Sequence, residues 1–262
     1  MEGFWGGGMV DFVFEGKVSI IVKCQSPLWI FLRYFPLIFT MKKIMLLLLI
    51  LISWNTNSFG QICQNPNARL ERLKSPNLTK TLLYEKVRED LDFIKISPAD
   101  VIADIGSYDG QYPCIYSIFT DSVIFYLNDI QPEGFKTLND FESICAKFKG
   151  NELTNTFKII IAEENSTNLP SRLFDKVIMR DALHHCSQMN EMLIDITRIM
   201  KPNGKLFLYE QLKLPNVINE NLCVGVMKKE ELLDLLQRNG FVQKREKYLK
   251  NDLIWLEFEL KQ

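Results

Sequence analysis

Five short apolar runs, separated by stretches with helical spacing, constrain the fold of this chain more than any other feature. The runs are rich in Ile and Val and almost continuously hydrophobic, as strands covered on both faces are. They occupy Val101–Ile105, Val123–Leu127, Lys158–Ala162, Lys176–Met179 and Lys205–Tyr209. Strands that alternate with helices form a parallel sheet with helices on both faces. The pattern therefore predicts a doubly wound α/β domain.

The segments around these runs predict the helices and the end of the sheet. Pro132–Phe148 begins with a favourable Pro-Glu turn, and Ser187–Met200 has one apolar face with Ser187 as the expected N-cap. Further helices are expected over 78–93 and 228–240. Two final strands are expected over 241–249 and Leu253–Leu260. In the last strand apolar residues alternate with Glu257 and Glu259, which predicts an antiparallel strand with one wetter face.

A segment typical of export signals lies within the first sixty residues. A short basic stretch from Met41 precedes the apolar run Ile44–Ile52, and small side chains precede Gln61. The run is shorter than the about 20 apolar residues that a spanning helix needs. We expect residues 41–60 to be a signal peptide or a membrane anchor, and residues 1–40 to be a spurious N-terminal extension. The alternative keeps residues 1–40 and makes Leu28–Ile52 an uncleaved anchor.

This segment sets the expected localisation and the division of the chain. Export to the periplasm or envelope is the first expectation, and a membrane-anchored or cytoplasmic protein is the alternative. Membrane association would then run through residues 44–52. Residues 61–98 are expected to form a helical flank or lid, and residues 99–262 the main domain.

Charge and cysteine spacing exclude several classes of protein. The formal net charge is -1, which gives no electrostatic reason to expect a nucleic-acid partner. The six cysteines are widely spaced and form no Cys-x-x-Cys pair. The sequence therefore predicts neither a disulfide framework nor a metal site.

The stretch "ADIGSYDGQY" (residues 103–112) follows the first predicted strand and resembles a nucleotide-binding loop. Asp104 ends the strand, and Gly106 and Gly110 allow a tight turn and a close approach. Asp129 ends the second strand, where an acid can bind ribose hydroxyls. The G-x-G-x-x-G fingerprint is absent, so a nicotinamide cofactor is poorly supported. Tyr108 stands between the two glycines, and we expect its backbone to avoid positive φ.

The second half of the domain resembles a known family. "NLPSRLFDKVIMRDALHHC" (168–186) and "ITRIMKPNGKLFLYE" (196–210) follow the Asp-x-Gly loop in order, with the LP…FDxV…LHH and KPxG motifs. This set is similar to the class I S-adenosylmethionine-dependent methyltransferases. The resemblance implies a mostly parallel, seven-stranded, Rossmann-like sheet with an antiparallel C-terminal strand. It also implies S-adenosylmethionine as cofactor and a methyltransferase domain over residues 99–262.

The resemblance further implies roles for individual residues. The cofactor would contact Asp104, Gly106, Ser107, Tyr108, Gly110, Asp129, Ile130, Glu164, Asn165 and Arg180. Within this set the Asp104 loop would cradle the methionine part, Asp129 the ribose, and Ile130 the adenine ring. Either Glu164 or Asn165 would lie beside the adenine edge. The residues expected to act on the acceptor are Arg180, Asp181 and His184, although packing or orientation is the more ordinary role of a histidine in this stretch.

The methyl acceptor is not readable from these motifs. A small molecule, a lipid or a protein each fits an in-line transfer that asks little of the protein beyond positioning. The alternative function is a catalytically silent cofactor-binding or scaffold domain exported to the envelope. Tyr108, Asn165 and the export signal motivate that alternative, because S-adenosylmethionine is made inside the cell.

Overall fold

The computed structural model describes residues 11–14, 18–21, 66–213, 225–249 and 252–261. The chain separates into two compact units, Met1–Cys63 and Gln64–Gln262. In the first, β1 (Asp11–Phe14) and β2 (Val18–Ile21) form an antiparallel pair. The expected signal segment, residues 41–60, lies outside the described residues. Among the helices that are described, none is both long and apolar enough to cross a bilayer.

The second unit alternates helices and strands, as the apolar runs predicted. Short 3₁₀ turns occur at Pro132–Thr137 and Leu183–His185. The helices are α1 (Pro66–Leu73), α2 (Lys80–Ile94), α3 (Gln111–Ser117), α4 (Leu138–Lys149), α5 (Met189–Ile199) and α6 (Lys229–Arg238). The strands are β3 (Val101–Ile105), β4 (Ile124–Asp129), β5 (Thr156–Ile161), β6 (Phe174–Arg180), β7 (Met200–Gln211), β8 (Phe241–Tyr248) and β9 (Leu253–Leu260).

The seven strands of this unit form one sheet in the order β5-β4-β3-β6-β7-β9-β8. Neighbours from β5 to β7 are parallel, and β9 is antiparallel to both β7 and β8. The predicted doubly wound sheet with an antiparallel C-terminal strand is confirmed. The strand order reverses at β3, whose neighbours are β4 and β6. Ligands of open α/β sheets bind at such a reversal, beyond the carboxyl ends of the strands.

Two apolar layers cover the two faces of the sheet. Alternate residues of one strand enter opposite layers, since strand side chains alternate in direction. Ala103 and Ile105 of β3 thus pack with α5 and α6, whereas Ile102 packs with α2, α3 and α4. A strand buried on both faces has no polar alternation, which explains why the apolar runs were nearly continuous.

Three local predictions were wrong. The helix expected over Pro132–Phe148 is a 3₁₀ turn over Pro132–Thr137 followed by α4. Helix α5 begins at Met189 with Gln188 as its N-cap residue, and the Ser187 hydroxyl instead donates to Glu164 Oε2 at 3.2 Å. The expected wetter face of β9 fails at Glu257, which is 1% exposed. Glu257 forms ion pairs with Arg245 on β8 and with Lys205 on β7. Its Oε1 lies 2.6 Å from Lys205 Nζ. Those cations compensate the buried charge of Glu257. The sequence of β9 alone does not predict this, because both cations lie on other strands.

A buried carboxylate connects the helical flank to the sheet. Asp90 of α2 is 3% exposed. Its Oδ1 accepts Trp255 Nε1–H from β9 at 3.0 Å, and its Oδ2 accepts the Tyr116 hydroxyl of α3 at 3.1 Å. Arg180 Nη1 of β6 lies 3.0 Å from the same Oδ2. Asp90 therefore connects α2 with α3, β6 and β9. The negative charge of its carboxylate is what the Arg180 guanidinium pairs with.

Replacing Asp90 tests this connection. Asp90→Ala would leave a buried guanidinium without its counter-ion, so we expect unfolding free energy to fall by about 3–5 kcal/mol. Urea denaturation of the full chain measures the change. The control is Asp92→Ala, an exposed acid on the same helix, which should stay within about 0.5 kcal/mol of wild type. Equal losses in the two variants would contradict the proposed role of Asp90.

Candidate functional site

The loop after β3 is held against both neighbouring strands at the carboxyl edge of the sheet. The N–H groups of Gly106 and Ser107 both donate to the carbonyl of Asn128 on β4, at 2.8 and 3.1 Å. On the other side, a Cβ added to Gly106 would lie 2.5 Å from Cβ of Ala182, which follows β6. Gly106 also has φ 73°. Only glycine meets both demands, so the first glycine of the loop is required by geometry.

Tyr108 adopts a left-handed conformation with φ 55°, so the expectation that it avoids positive φ was wrong. The Tyr108 N–H donates to Asp129 Oδ2 at 2.8 Å, and Gly134 packs against the Tyr108 carbonyl. A hydrogen bond to a charged group contributes about 1.5–3 kcal/mol, which offsets the about 1–2 kcal/mol cost of the left-handed backbone. The Tyr108 ring lies 5.5 Å from the Arg69 guanidinium of α1.

Gly110 faces the interior. It has φ 73° and precedes α3. A Cβ at this position would lie 2.8 Å from Leu138 Cδ1 and 2.9 Å from Leu127 Cδ1. The absent side chain therefore makes room for two core leucines, so any contact between Gly110 and a ligand would use its backbone.

Two acids lie at the ends of β3 and β4, Asp104 buried and Asp129 half-buried. Burial raises the pKa of Asp104 to about 7, against the opposing effects of a 2.6 Å hydrogen bond from Ser107 Oγ and the charge of Arg180. Burial also raises the pKa of Asp129, while the N–H groups of Gln131, Tyr108 and Ile130 act against that rise. The Asp129 carboxylate is therefore held in a fixed orientation by the backbone around it.

The residues expected beside the adenine are accessible. Ile130 is 53% exposed, although it directly follows β4. Glu164 and Asn165 are both exposed and form the turn between Glu163 and Ser166, which pair as an isolated bridge. An exposed isoleucine next to a fixed carboxylate provides an apolar surface and an acceptor side by side.

Arg180 turns away from the sheet edge into an aromatic cage. Its guanidinium lies 4.0 Å from the ring centres of both Tyr112 and Tyr209, and it pairs with Asp90. Burial alone would lower the pKa of Arg180, but Tyr116 and Asp90 outweigh that effect and raise it. Arg180 is thus a permanent cation inside the layer of α2 and α3, close enough to Asp104 to act on its pKa.

Asp181 and His184 come together with Glu210, which sequence reasoning did not select. Asp181 is exposed with φ 54°, and its N–H donates to the Tyr209 carbonyl at 2.7 Å. His184 is buried, and its Nδ1 lies 2.6 Å from Glu210 Oε2. One ligand atom from each of Asp181, His184 and Glu210 lies within 4.8 Å of the other two, a set that a divalent metal ion accepts. The missed signal was available, because Glu210 ends an apolar run as Asp104 and Asp129 do.

The close approach at Gly106 can be tested with a matched glycine. Gly150, at the end of α4, has φ 88° and nothing within 4 Å of an added Cβ. Both Gly→Ala variants incur the about 1–2 kcal/mol cost of positive φ, but only Gly106→Ala also meets Ala182. We expect Gly106→Ala to be less stable than Gly150→Ala by about 1–3 kcal/mol in urea denaturation. Equal stabilities would show that the loop can move away from Ala182 without cost.

Comparisons with known proteins agree with this geometry. Residues 104–208 match a family model described as a methyltransferase domain. A stretch of 128 residues is 27% identical to the sterol 24-C-methyltransferase of Pneumocystis carinii. It covers 48% of this chain and 31% of that relative, so the chain spans less than a third of the relative's length.

Solved structures share the fold at low sequence identity. A SAM-dependent methyltransferase from Aquifex aeolicus superposes with a TM-score of 0.56 at 18% identity, covering 74% of this chain and 98% of that one. The cyclase SpnF superposes with a TM-score of 0.50 at 17% identity, covering 62% of this chain and 59% of that one. Residues 104–208 are therefore similar to a methyltransferase domain, and the sheet has the fold of SAM-dependent methyltransferases.

Proposed function

We propose that this protein transfers a methyl group from S-adenosylmethionine to an acceptor. The observation that carries the proposal is the Asp104–Gly110 loop at the strand reversal, inside the region that matches a methyltransferase domain. The loop is hydrogen-bonded to Asn128 and Asp129 of β4, so Asp104 and Asp129, two acids of adjacent strands, lie at the same edge of the sheet. The fold alone does not select this reaction, because a cyclase shares it.

The residues at the crevice fit the cofactor. Asp104 would accept the ammonium of the methionine part, with Ser107 and the Tyr108 backbone beside it. Asp129 already accepts three backbone N–H groups, and a carboxylate has about four acceptor sites, so capacity remains for a ribose hydroxyl. Ile130 would cover one face of the adenine ring, and Glu164 or Asn165 would meet its amino edge.

The chain's contribution to the reaction is binding and orientation. S-adenosylmethionine supplies an electrophilic methyl group on a sulfonium. Holding an acceptor in line with that methyl group can contribute about 7–11 kcal/mol to lowering the barrier. The carboxyl ends of β6 and β7, with Asp181 and His184, would face the acceptor. Arg180 would not contact the reacting atoms. Its charge would instead lower the pKa of Asp104 and so favour the ionised carboxylate.

Calorimetry with S-adenosylmethionine and S-adenosylhomocysteine tests the cofactor. We expect the full chain to bind both, and Asp129→Asn to weaken binding about 10- to 100-fold, the value of a hydrogen bond to a charged group. Asp140→Asn changes an exposed acid of α4 and should bind like wild type. If the wild-type chain binds neither compound, the proposed function is wrong.

Cofactor affinity should also depend on pH. The pKa of Asp104 is about 7, so its carboxyl is neutral below that pH and ionised above it. Only the ionised form attracts an ammonium, and its share rises from about one tenth at about pH 6 to about nine tenths at about pH 8. We expect roughly ninefold tighter binding of S-adenosylhomocysteine at the higher pH. In Asp104→Asn the dependence should disappear; its persistence would assign it to another group.

A catalytically silent cofactor-binding domain is the second candidate. It is motivated by Tyr108, whose left-handed backbone would be less strained in a glycine. Transfer of labelled methyl from S-adenosylmethionine to fractions of a cell extract separates the two candidates. Cofactor binding without any labelled product would favour the silent domain.

Export remains part of the proposal, and N-terminal sequencing of the native protein tests it, since cleavage would give a chain that begins at Gln61.

A further inference from the structure

The pair formed by His184 and Glu210 has a defined hydrogen-bond direction. Glu210 is 2% exposed, its Oε1 accepts the Leu183 N–H at 2.9 Å, and its Oε2 lies 2.6 Å from His184 Nδ1. A buried carboxylate is an acceptor, so the histidine nitrogen facing it is the one that carries hydrogen. The neutral His184 ring therefore presents a lone pair on Nε2.

That lone pair has no partner. His184 Nε2 is buried and makes no hydrogen bond within the part of the chain that the structure describes. Buried polar atoms are normally paired, so an unpaired one calls for an explanation. The atom is an acceptor for a proton donor that is not supplied by the described residues.

Glu210 also differs from the other buried glutamate of the sheet. Glu257 is compensated by Arg245 and Lys205. Within the described residues no lysine or arginine pairs with Glu210, whose ion-pair partner is His184. Glu257 thus has the contacts of a structural charge. Glu210 instead has those of a group that orients a histidine and stabilises its protonated form.

The pair lies beside the loop proposed to hold the cofactor. His184 follows β6 and Glu210 lies near the end of β7, at the carboxyl edge of the sheet. Ala182, two residues before His184, is the residue against which Gly106 packs. The segment that carries His184 is therefore in direct contact with the Asp104 loop.

We propose that His184 Nε2 is the base that takes a proton from the methyl acceptor, and that Glu210 is its positioning residue. This inference rests on the proposed function and adds a substrate class: the acceptor atom is a hydroxyl or amine that carries a proton. The acceptor atom forms a bond to the methyl carbon, and the electron pair of the broken carbon–sulfur bond stays on sulfur. The acceptor proton passes to His184 Nε2, so the positive charge lost at sulfur appears on the imidazolium.

The surroundings favour this transfer. Burial lowers the pKa of His184, but the hydrogen bond and charge of Glu210 outweigh that effect and raise it above the ordinary value. A base of this kind contributes about 10²- to 10⁴-fold to a rate. A metal ion at Asp181, His184 and Glu210 is the competing use of the same groups.

Nitrogen NMR of the full chain tests the direction of the pair without any acceptor. The chain has two histidines, so His184→Gln assigns both ring systems. Above the titration midpoint of His184 we expect hydrogen on Nδ1 and none on Nε2. Glu210→Gln, which keeps the size and removes the charge, should lower that midpoint. The control His185→Gln changes an exposed neighbour and should preserve the His184 pattern. Neutral His184 with hydrogen on Nε2 would overturn the proposal.

Methyl transfer to simple probes tests the base itself. Catechol and a primary amine carry a proton at the acceptor atom, whereas a thiol that is ionised at the assay pH does not. For the first two, His184→Gln should lower kcat by about 10²- to 10⁴-fold with little change in KM, and His185→Gln should not. The ionised thiol should be affected much less. An equal loss with all three probes, or transfer by wild type to the thiol alone, would overturn the proposal.

Two measurements separate this inference from its alternatives. If Mn²⁺ or Zn²⁺ perturbs the His184 signals and transfer requires the ion, the cluster is a metal site and the base assignment is wrong. Calorimetry shows whether His184→Gln keeps wild-type affinity for S-adenosylhomocysteine, as a base should. A wild-type chain that binds no cofactor refutes the proposed function itself, whereas the NMR result refutes only the role of His184.

Discussion

The buried ion pair between Asp90 and Arg180 is the constraint on which the sheet edge depends. A cation at the carboxyl end of a central strand, enclosed by Tyr112 and Tyr209, would be costly without a counter-ion. Asp90 supplies that charge from a helix outside the sheet and accepts hydrogen bonds from α3 and β9 as well. The N-terminal flank is therefore part of the folded domain, and it is held by the polar contacts of Asp90 as well as by apolar packing.

The end of β6 distributes its polar residues between the two layers. Arg180 faces the layer of α2 and α3, where its charge is neutralised. Asp181 is in a left-handed conformation, and the chain beyond it brings His184 to Glu210. The proposed base and the buried cation are thus close in sequence but belong to separate networks. Because the networks are separate, Asp90 neutralises the charge of Arg180 while His184 Nε2 stays buried without a hydrogen-bond partner among the described residues.

Much of the fold was predictable because buried parallel strands leave a strong signal. Val101–Ile105 and Leu253–Leu260 were predicted with the bounds that the structure has. Errors arose where a distant partner reversed a local preference. Tyr108 adopts a positive φ because its N–H donates a hydrogen bond to Asp129. Glu257 is buried because two neighbouring strands provide cations that pair with it. Neither partner can be read from the residues adjacent in sequence.

For the candidate site, the sequence by itself determined which residues end the strands: Asp104, Asp129 and the segment Arg180–His184. The carboxyl ends of parallel strands meet at one edge, so strand order in the chain already implied a shared crevice. Only the tertiary structure decided which of these groups are neutralised and which are left unpaired. Charge compensation depends on distances between residues far apart in the chain. The pairing of Asp90 with Arg180 and of Glu210 with His184 therefore became visible only in the assembled layers.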